Sequence, residues 1–323
     1  MRENLRMNLD PFSDLLQLLN ARSVLAGGLV TGGKWAVEFP TSDQIKFWGI
    51  VRGNCSMQMA GEQQPVAVES GDVFLLRTPR SHVLSSDSTL EPVPLAKVLA
   101  NRQSLVVKHG EGDEFFMIGG KLELADNSAQ VLINELPMLI HIRATSRHAG
   151  SLRWLLEQLV NEQEGDHPGA AAATSQLTHL MFIQILRAYF EQSAPLEGGR
   201  LRAMGDKRLA PALRLIHQQP ARAWQLEELA KSAAMSRATF AAYFKKVAGI
   251  APMAYLTEWR MRLAERVLQK GRTSVSALAL SLGYGSESAF SNAFKRIIGQ
   301  SPRHYQQEYQ APVVSLDQID TIG

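Results

Sequence analysis

The sequence predicts an α+β chain of two domains, a β-barrel with two following helices and then an all-α part. Three observations predict it. Up to about residue 145 the apolar residues come in short runs broken by turn signals. Beyond about residue 205 they follow helical periodicity, and that helical part carries an internal duplication. The length, 323 residues, suits two domains. With 45% hydrophobic and 20% charged residues, the chain is not a disordered one.

The strands come first. Ile45–Val51, Val66–Val68, Val73–Leu76, Leu105–Val107, Phe115–Ile118 and Lys121–Leu124 are separated by Gly53-Asn54, Gly61, Gly71-Asp72, Gly110 and Asp126-Asn127. Short strands so punctuated indicate a sandwich or a barrel. Two helices follow. Ser151–Glu164 opens on a Ser N-cap, and Ala172–Gln192 is apolar on nearly every face. A helix of that kind is buried, against its own barrel or against a second subunit. Ser193–Gly205, with one Pro, three Gly and few large apolar residues, reads as a linker.

After the linker the expected helices are Asp206–His217, Leu226–Ser232, Ser236–Val247, Pro252–Gln269, Ser274–Ser281 and Ser286–Ile298. Pro220, Gly249, Gly271, Gly283 and Gly299 stop them, and Ser236, Ser274 and Ser286 cap them. Pro252 and Pro302 sit where a first turn tolerates a missing N–H. The expected bounds are 9–195 for the first domain, 196–205 for the linker, 206–308 for the second domain and 309–323 for a tail.

The duplication is specific. Ser236, Phe240, Phe244, Lys245, Lys246, Gly249, Pro252 and Tyr255 recur fifty residues on as Ser286, Phe290, Phe294, Lys295, Arg296, Gly299, Pro302 and Tyr305. Upstream, Leu226/Leu229/Ala230 match Val275/Leu278/Ala279 at an offset of 49, so the one-residue change falls in the turn. Each copy reads as a short helix, a turn and a longer helix. Small Ala230 and Ala279 permit a close crossing, and the phenylalanines at i,i+4 lock it from inside. The first turn of each second helix is left exposed, with its positive dipole end outward. A helix so presented fits the DNA major groove.

Charge agrees. Residues 1–199 hold 16 basic and 22 acidic side chains, net −6, whereas 200–310 hold 18 and 7, net +11. A basic module on an acidic one points to a polyanion partner for the helical part. The single cysteine, Cys55, excludes a disulfide framework and reads as an inert buried thiol. No stretch approaches the ~18 consecutive apolar residues of a membrane helix. The start, MRENLRMNLD, has no apolar core of a secretory signal, which makes a cytoplasmic location the expectation.

The strings LAKSAAMSRATFAAYFKKVAGIAPMAYLTEWRMRLAERVL and LALSLGYGSESAFSNAFKRIIGQSPRHYQQ resemble the DNA-binding domain of the AraC/XylS family of bacterial transcription regulators. The G-Y-x-S-x-S-x-F-x-x-x-F-K pattern in the second is its most specific part. The resemblance covers about 206–308 and implies two helix-turn-helix units joined by the long helix Pro252–Gln269. It also implies base contacts from Arg237, Ala238, Ala241 and Ala242 in the first copy, helped by Thr239, and from Glu287, Ser288, Ala289 and Asn292 in the second. Alanine can touch a thymine methyl but forms no hydrogen bond, so the first helix rests on Arg237 or on DNA shape. Asn292 suits adenine and Glu287 suits cytosine N4. Lys245, Lys246, Lys295 and Arg296 are the phosphate candidates.

Trp48–Ser85 resembles a cupin-type barrel of the sort that precedes this DNA-binding domain in many regulators. Metal-dependent cupins use His and Glu where this chain has Thr41, Asp43 and Phe47. Only His82 survives, and one histidine holds no catalytic metal; the lesser alternative is an unorthodox site completed by His109, His141 and His148. His82 is either a pocket group or a core histidine. Trp35, Phe47 and Trp48 are the aromatic candidates for an effector cavity, or plain core. The resulting expectation is a sequence-specific transcription regulator, an activator rather than a repressor, with no cofactor, metal or catalytic residue. Its expected partners are double-stranded DNA, RNA polymerase, a small-molecule effector and a second copy of itself, with no membrane. The alternative is a cupin-type metal enzyme fused to a DNA-binding module.

Overall fold

The computed structural model describes residues 10–19, 22–42, 44–77, 80–100, 102–123, 134–165, 167–191, 199–271 and 273–310. The chain forms two compact units, one of residues 19–195 and one of 1–18 together with 196–323.

In the first unit eleven described strands make two mixed sheets. They are β1 (Arg22–Thr31), β2 (Ala36–Phe39), β3 (Ile45–Arg52), β4 (Asn54–Met59), β5 (Val66–Glu69) and β6 (Val73–Arg77), then β7 (His82–Ser85), β8 (Val93–Pro94), β9 (Val106–His109), β10 (Phe115–Glu123) and β11 (Leu139–Ile142). The larger sheet runs β11-β6-β3-β10-β1-β9 and the smaller β5-β4-β7-β2-β8. The expected barrel is therefore corrected to two facing sheets that do not close. At one edge Pro94 gives β8 a residue with no N–H to offer a further strand, so pairing stops there.

The sheets bury Trp35, Val37, Phe39, Trp48, Ile50, Met57, Phe74, Leu84, Phe115 and Met117 between them. The short α2 (Leu95–Leu99) packs beside β8, β2 and β9. The outer face of the larger sheet carries α3 (Ala149–Glu164) and α4 (Ala170–Glu191). At Gly49 of β3 a Cβ would lie 2.2 Å from Leu156 of α3, and at Gly120 of β10 one would lie 2.7 Å from Thr178 of α4. Only glycine lets the helices come this close. The apolar side of α4 (Phe182, Ile185, Leu186) is thus buried on its own sheet. The first of these helices begins before Ser151, after His148, with no side-chain cap.

The second unit contains α1 (Pro11–Leu19) and α5 (Arg200–Gly205), then α6 (Ala210–Gln218), α7 (Leu226–Ser232), α8 (Arg237–Ala248), α9 (Pro252–Gln269), α10 (Val275–Ser281), α11 (Glu287–Ile298) and α12 (Pro302–Gln310). Two expectations change. Residues 200–205 are helix rather than linker, because Leu201 and Met204 are buried and Arg200 pairs with Glu258 at 2.5 Å. Of the rest of the expected linker, 193–198 lies outside the described residues, as do the last residue of the expected helix at Gln192, the end of the expected strand at 124 and the tail beyond 310. The helix expected from Asp206 starts at Ala210. Asp206 instead caps the preceding turn, accepting from the backbone N–H of Arg208 and Leu209 at 2.8 and 3.0 Å.

Residues 10–18, expected in the β-rich domain, group with the helices. Asp14 of α1 is buried and accepts from His217 Nδ1 at 3.2 Å; His217 Nε2 then accepts from the Tyr255 hydroxyl at 2.8 Å. Trp259 stacks on the same imidazole at 3.7 Å and 7°. Burial lowers the His217 pKa against the opposing pull of Asp14, so the ring is neutral.

The turn between α10 and α11 gives a sharp test. Gly283 has φ +81°, and a Cβ there would stand 2.0 Å from the Ala221 backbone oxygen. Its counterpart, Ala234, takes φ 52° with a side chain in place. Gly283→Ala should therefore cost more than the ~1–2 kcal/mol of a left-handed alanine, read as a lowered unfolding midpoint in urea. A loss below about 1 kcal/mol would show that the 221 and 283 loops do not meet.

Candidate nucleic-acid interface

The two copies fold alike down to their ring contacts. Phe240, Phe244, Phe290 and Phe294 are fully buried. Phe244 meets Tyr255 edge-on at 5.5 Å and 73°, and Phe294 meets Tyr305 at 5.6 Å and 78°. Ser236 accepts from the N–H of Thr239, and Ser286 from that of Ala289, both at 3.2 Å. Both long helices end on a left-handed glycine, Gly249 and Gly299. Each is followed by a helix with Pro at its first position, so the repeated element is a helix-turn-helix plus a bracing third helix.

The faces left over are the ones the sequence singled out. Arg237, Ala238, Thr239 and Ala242 are exposed on α8, and Ala241 is half-buried. On α11, Ser288, Ala289 and Asn292 are exposed and Glu287 is half-buried. Lys245, Lys246, Lys295 and Arg296 are exposed in the last turns of the two helices. Four candidates have local ties. Arg237 pairs with Glu227 of α7 at 3.0 Å, Glu287 is held by Arg303 at 2.9 Å, and the Thr239 and Ser288 hydroxyls bond their own caps. An exposed pair such as Arg237–Glu227 is worth at most about 1 kcal/mol, so it aims the guanidinium without withholding it.

A junction that the sequence did not show holds the copies together. Arg260, midway along α9, donates to the carbonyls of Pro220 and Arg222 at 2.6 and 3.0 Å and lies over the Tyr284 ring. It joins the loop before α7 to the turn before α11. Along this helix Tyr255, Leu256 and Trp259 are buried, whereas Leu263 and Val267 are half-buried. Met261, Ala264 and Leu268 fill the core of the second copy instead. No periodicity separates those neighbours on a helix buried along two faces.

In the β-rich unit the four effector candidates part company. Phe47 is on the helix side of β3, its ring beside Gly120 under α4. Trp35 is packed on Phe115 at 4.8 Å, and His82 is stacked on Phe39 at 4.9 Å. Trp48 borders a cavity of about 430 Å³. Neither ring nitrogen of His82 has a hydrogen-bond partner among the described residues. The Cys55 thiol is pushed up to about 12 by burial and by the charge of Asp72, which suits an inert thiol. His141 and His148 are engaged by Asp72 at 2.7 Å and Glu191 at 3.1 Å. Among the described residues no three His, Cys, Asp or Glu are grouped to hold a metal, and no helix is long and apolar enough to cross a membrane.

Burial, and then the charge of Lys46, hold the His82 pKa down at about 4. As pH falls the unfolded chain takes the proton first. Stability is thus intact above about pH 6.5 and drains towards pH 4, by about 2 kcal/mol at pH 5. His82→Phe should remove that share of the acid slope. Urea midpoints at pH 7 and 5 check it, and equal slopes in the two proteins would refute it.

Comparison with known proteins agrees with this geometry. The Cupin family profile matches residues 10–191 and the Helix-turn-helix domain profile matches 229–308. An AraC-like transcription regulator of Streptomyces lividans is 37% identical over 94% of this chain and all of its own length. One of Streptomyces antibioticus is 38% identical over 93% and 99%. The RCS-specific HTH-type transcriptional activator RclR of Escherichia coli is 28% identical over 93% and 98%. A duplicated helix-turn-helix behind a cupin-family domain, shared along nearly the whole length of these relatives, places the chain in the AraC family of DNA-binding transcription regulators, which are not enzymes.

Proposed function

We propose that the protein is an effector-responsive activator that reads two major-groove segments with α8 and α11. The observation that carries this is the match between two exposed helix faces of one basic unit, each capped, bare of large apolar groups and ending in two cations. Arg237, Ala238, Thr239, Ala241 and Ala242 form one reading face, and Glu287, Ser288, Ala289 and Asn292 the other. Lys245, Lys246, Lys295 and Arg296 grip phosphates. Activation, through contact with RNA polymerase, is supported by the relative named as an activator. A ligand in the cupin-family domain would act by preferring one arrangement of the protein, shifting how the basic unit engages DNA. A dimer and a cytoplasmic location belong to the same reading. The metal-enzyme alternative is not favoured, since the relatives are named as regulators.

Two measurements on the full chain test the interface. Arg237→Ala should cost about 1–3 kcal/mol on the specific site and much less on random DNA. Lys245→Ala should weaken both alike and reduce the salt slope by about one. An Arg237→Ala loss equal on both DNAs would make Arg237 a phosphate contact only.

The connecting helix sets the spacing. Its 18 residues span about 27 Å at 1.5 Å per residue, against about 34–36 Å between successive major grooves on one face. Each reading helix makes up the difference beyond its end. Protected bases should fall in two blocks about 10 bp apart. Inserting about 5 bp between them should reduce specific affinity to that of one block, and unchanged affinity would mean that one unit alone docks.

A further inference from the structure

The cavity beside Trp48 is built unlike the rest of the sheet interior. Leu25, Leu29, Phe39, Leu95, Leu99 and Met117 give it apolar walls. Its polar lining is cationic: Lys46, Arg102 and Lys121 border it, with Gln44, and among the described residues no carboxylate does. Lys46 and Lys121 are also directly opposed across the β3–β10 ladder. Like charges set opposite one another destabilise a sheet. A fold gains nothing by aiming both into a cavity between its sheets.

The charges at the cavity are only partly offset. Lys46 is half-buried and forms no ion pair with an acid among the described residues, and burial and then Lys121 pull its pKa down. Lys121 has Glu123 at 2.9 Å to offset part of its charge. Arg102, exposed at the rim, donates Nε to the Ser104 carbonyl at 2.9 Å and Nη2 to that of Ala26 at 3.5 Å.

We infer that this cavity is the binding site of a small carboxylate with an apolar body. The carboxylate lies between Lys46 and Arg102; the body lies on Leu29, Phe39 and Met117. An arginine fork and an ammonium suit a carboxylate, whose oxygens accept several hydrogen bonds. The space, at about 30 Å³ per water, equals roughly a dozen waters, the size of an aromatic acid or a short fatty acid. This rests on the effector-responsive reading above for its consequence at DNA, not for the binding itself.

The test uses the full chain, with benzoate, phenylbutyrate, octanoate and decanoate titrated by calorimetry up to about 1 mM, each against its own alcohol. At least one acid should bind about one per chain and at least tenfold tighter than its alcohol. Lys46→Met and Arg102→Ala should each weaken it, the first by about tenfold or more. Without ligand, Lys46→Met should melt no lower than the parent, since it removes the charge facing Lys121. Arg102 is on the exposed rim, where its removal costs the fold only its bonds to the Ser104 and Ala26 carbonyls. The inference is overturned if no acid outbinds its alcohol, or if both variants bind as the parent does. Operator affinity with and without the bound acid separates the two readings. Acid binding that leaves DNA affinity unchanged removes the effector role and keeps the site. Failure of every acid, with sequence-specific DNA binding intact, removes the site alone.

Discussion

Both reading faces depend on one close crossing, made twice. Ala230 under Phe240 and Phe244, and Ala279 under Phe290 and Phe294, let a short helix pass across a longer one with no side chain between. That packing leaves the first turn of α8 and α11 clear of the core. The serine caps then fix where each helix begins, and the left-handed glycines where it ends. Everything chemical about the faces follows from those limits. The dipole end points outward beside Arg237 and Ser288, and the paired cations fall in the last turns of the two helices.

A second constraint turns two similar modules into one instrument. Arg260 gives its guanidinium to two carbonyls of the first copy and its flat face to Tyr284 of the second. Gly283 presses on Ala221 within the same few ångströms. A single helix joining two modules leaves their rotation to chance. A helix with a bidentate staple at its middle does not. The His217 stack on Trp259, closed from the other side by Asp14 of α1, fixes the first half of the helix in the same way.

What was legible in the sequence was local. The repeat, its caps, its glycine stops and its inward phenylalanines are all spacing within about twenty residues, and each is found in place. What was missed is long-range or two-faced. β1 carries Gly27-Gly28 and pairs with β10 and β9 almost a hundred residues on, so no local run announces it. β3 is buried on both faces, and a strand without alternation cannot say which side holds Phe47 and which Trp48. The helix at Arg200–Gly205 is made by burial of Leu201 and Met204 and by the Arg200–Glu258 pair, partners sixty residues apart. Closure of the barrel failed for a similar reason. Strand count and turn signals are the same for a barrel and for two facing sheets, and the difference lies in which edges pair.

Open edges have a consequence for the interior. In a small closed barrel the inward side chains fill the space. Here the smaller sheet stops at the proline of β8, and the chain continues as the short α2, whose Leu95 and Leu99 cover the inner residues only in part. The inner positions of β3 and β10 change character along the strands at that place. Ile50 and Met117 are in the dry core, Trp48 is at its margin, and Lys46 and Lys121 stand beyond it. The apolar-to-cationic gradient runs along two adjacent strands at matched register, so it is a property of the sheet rather than of one stray lysine. The sheet that fails to close therefore encloses a space with an apolar floor and a positive mouth.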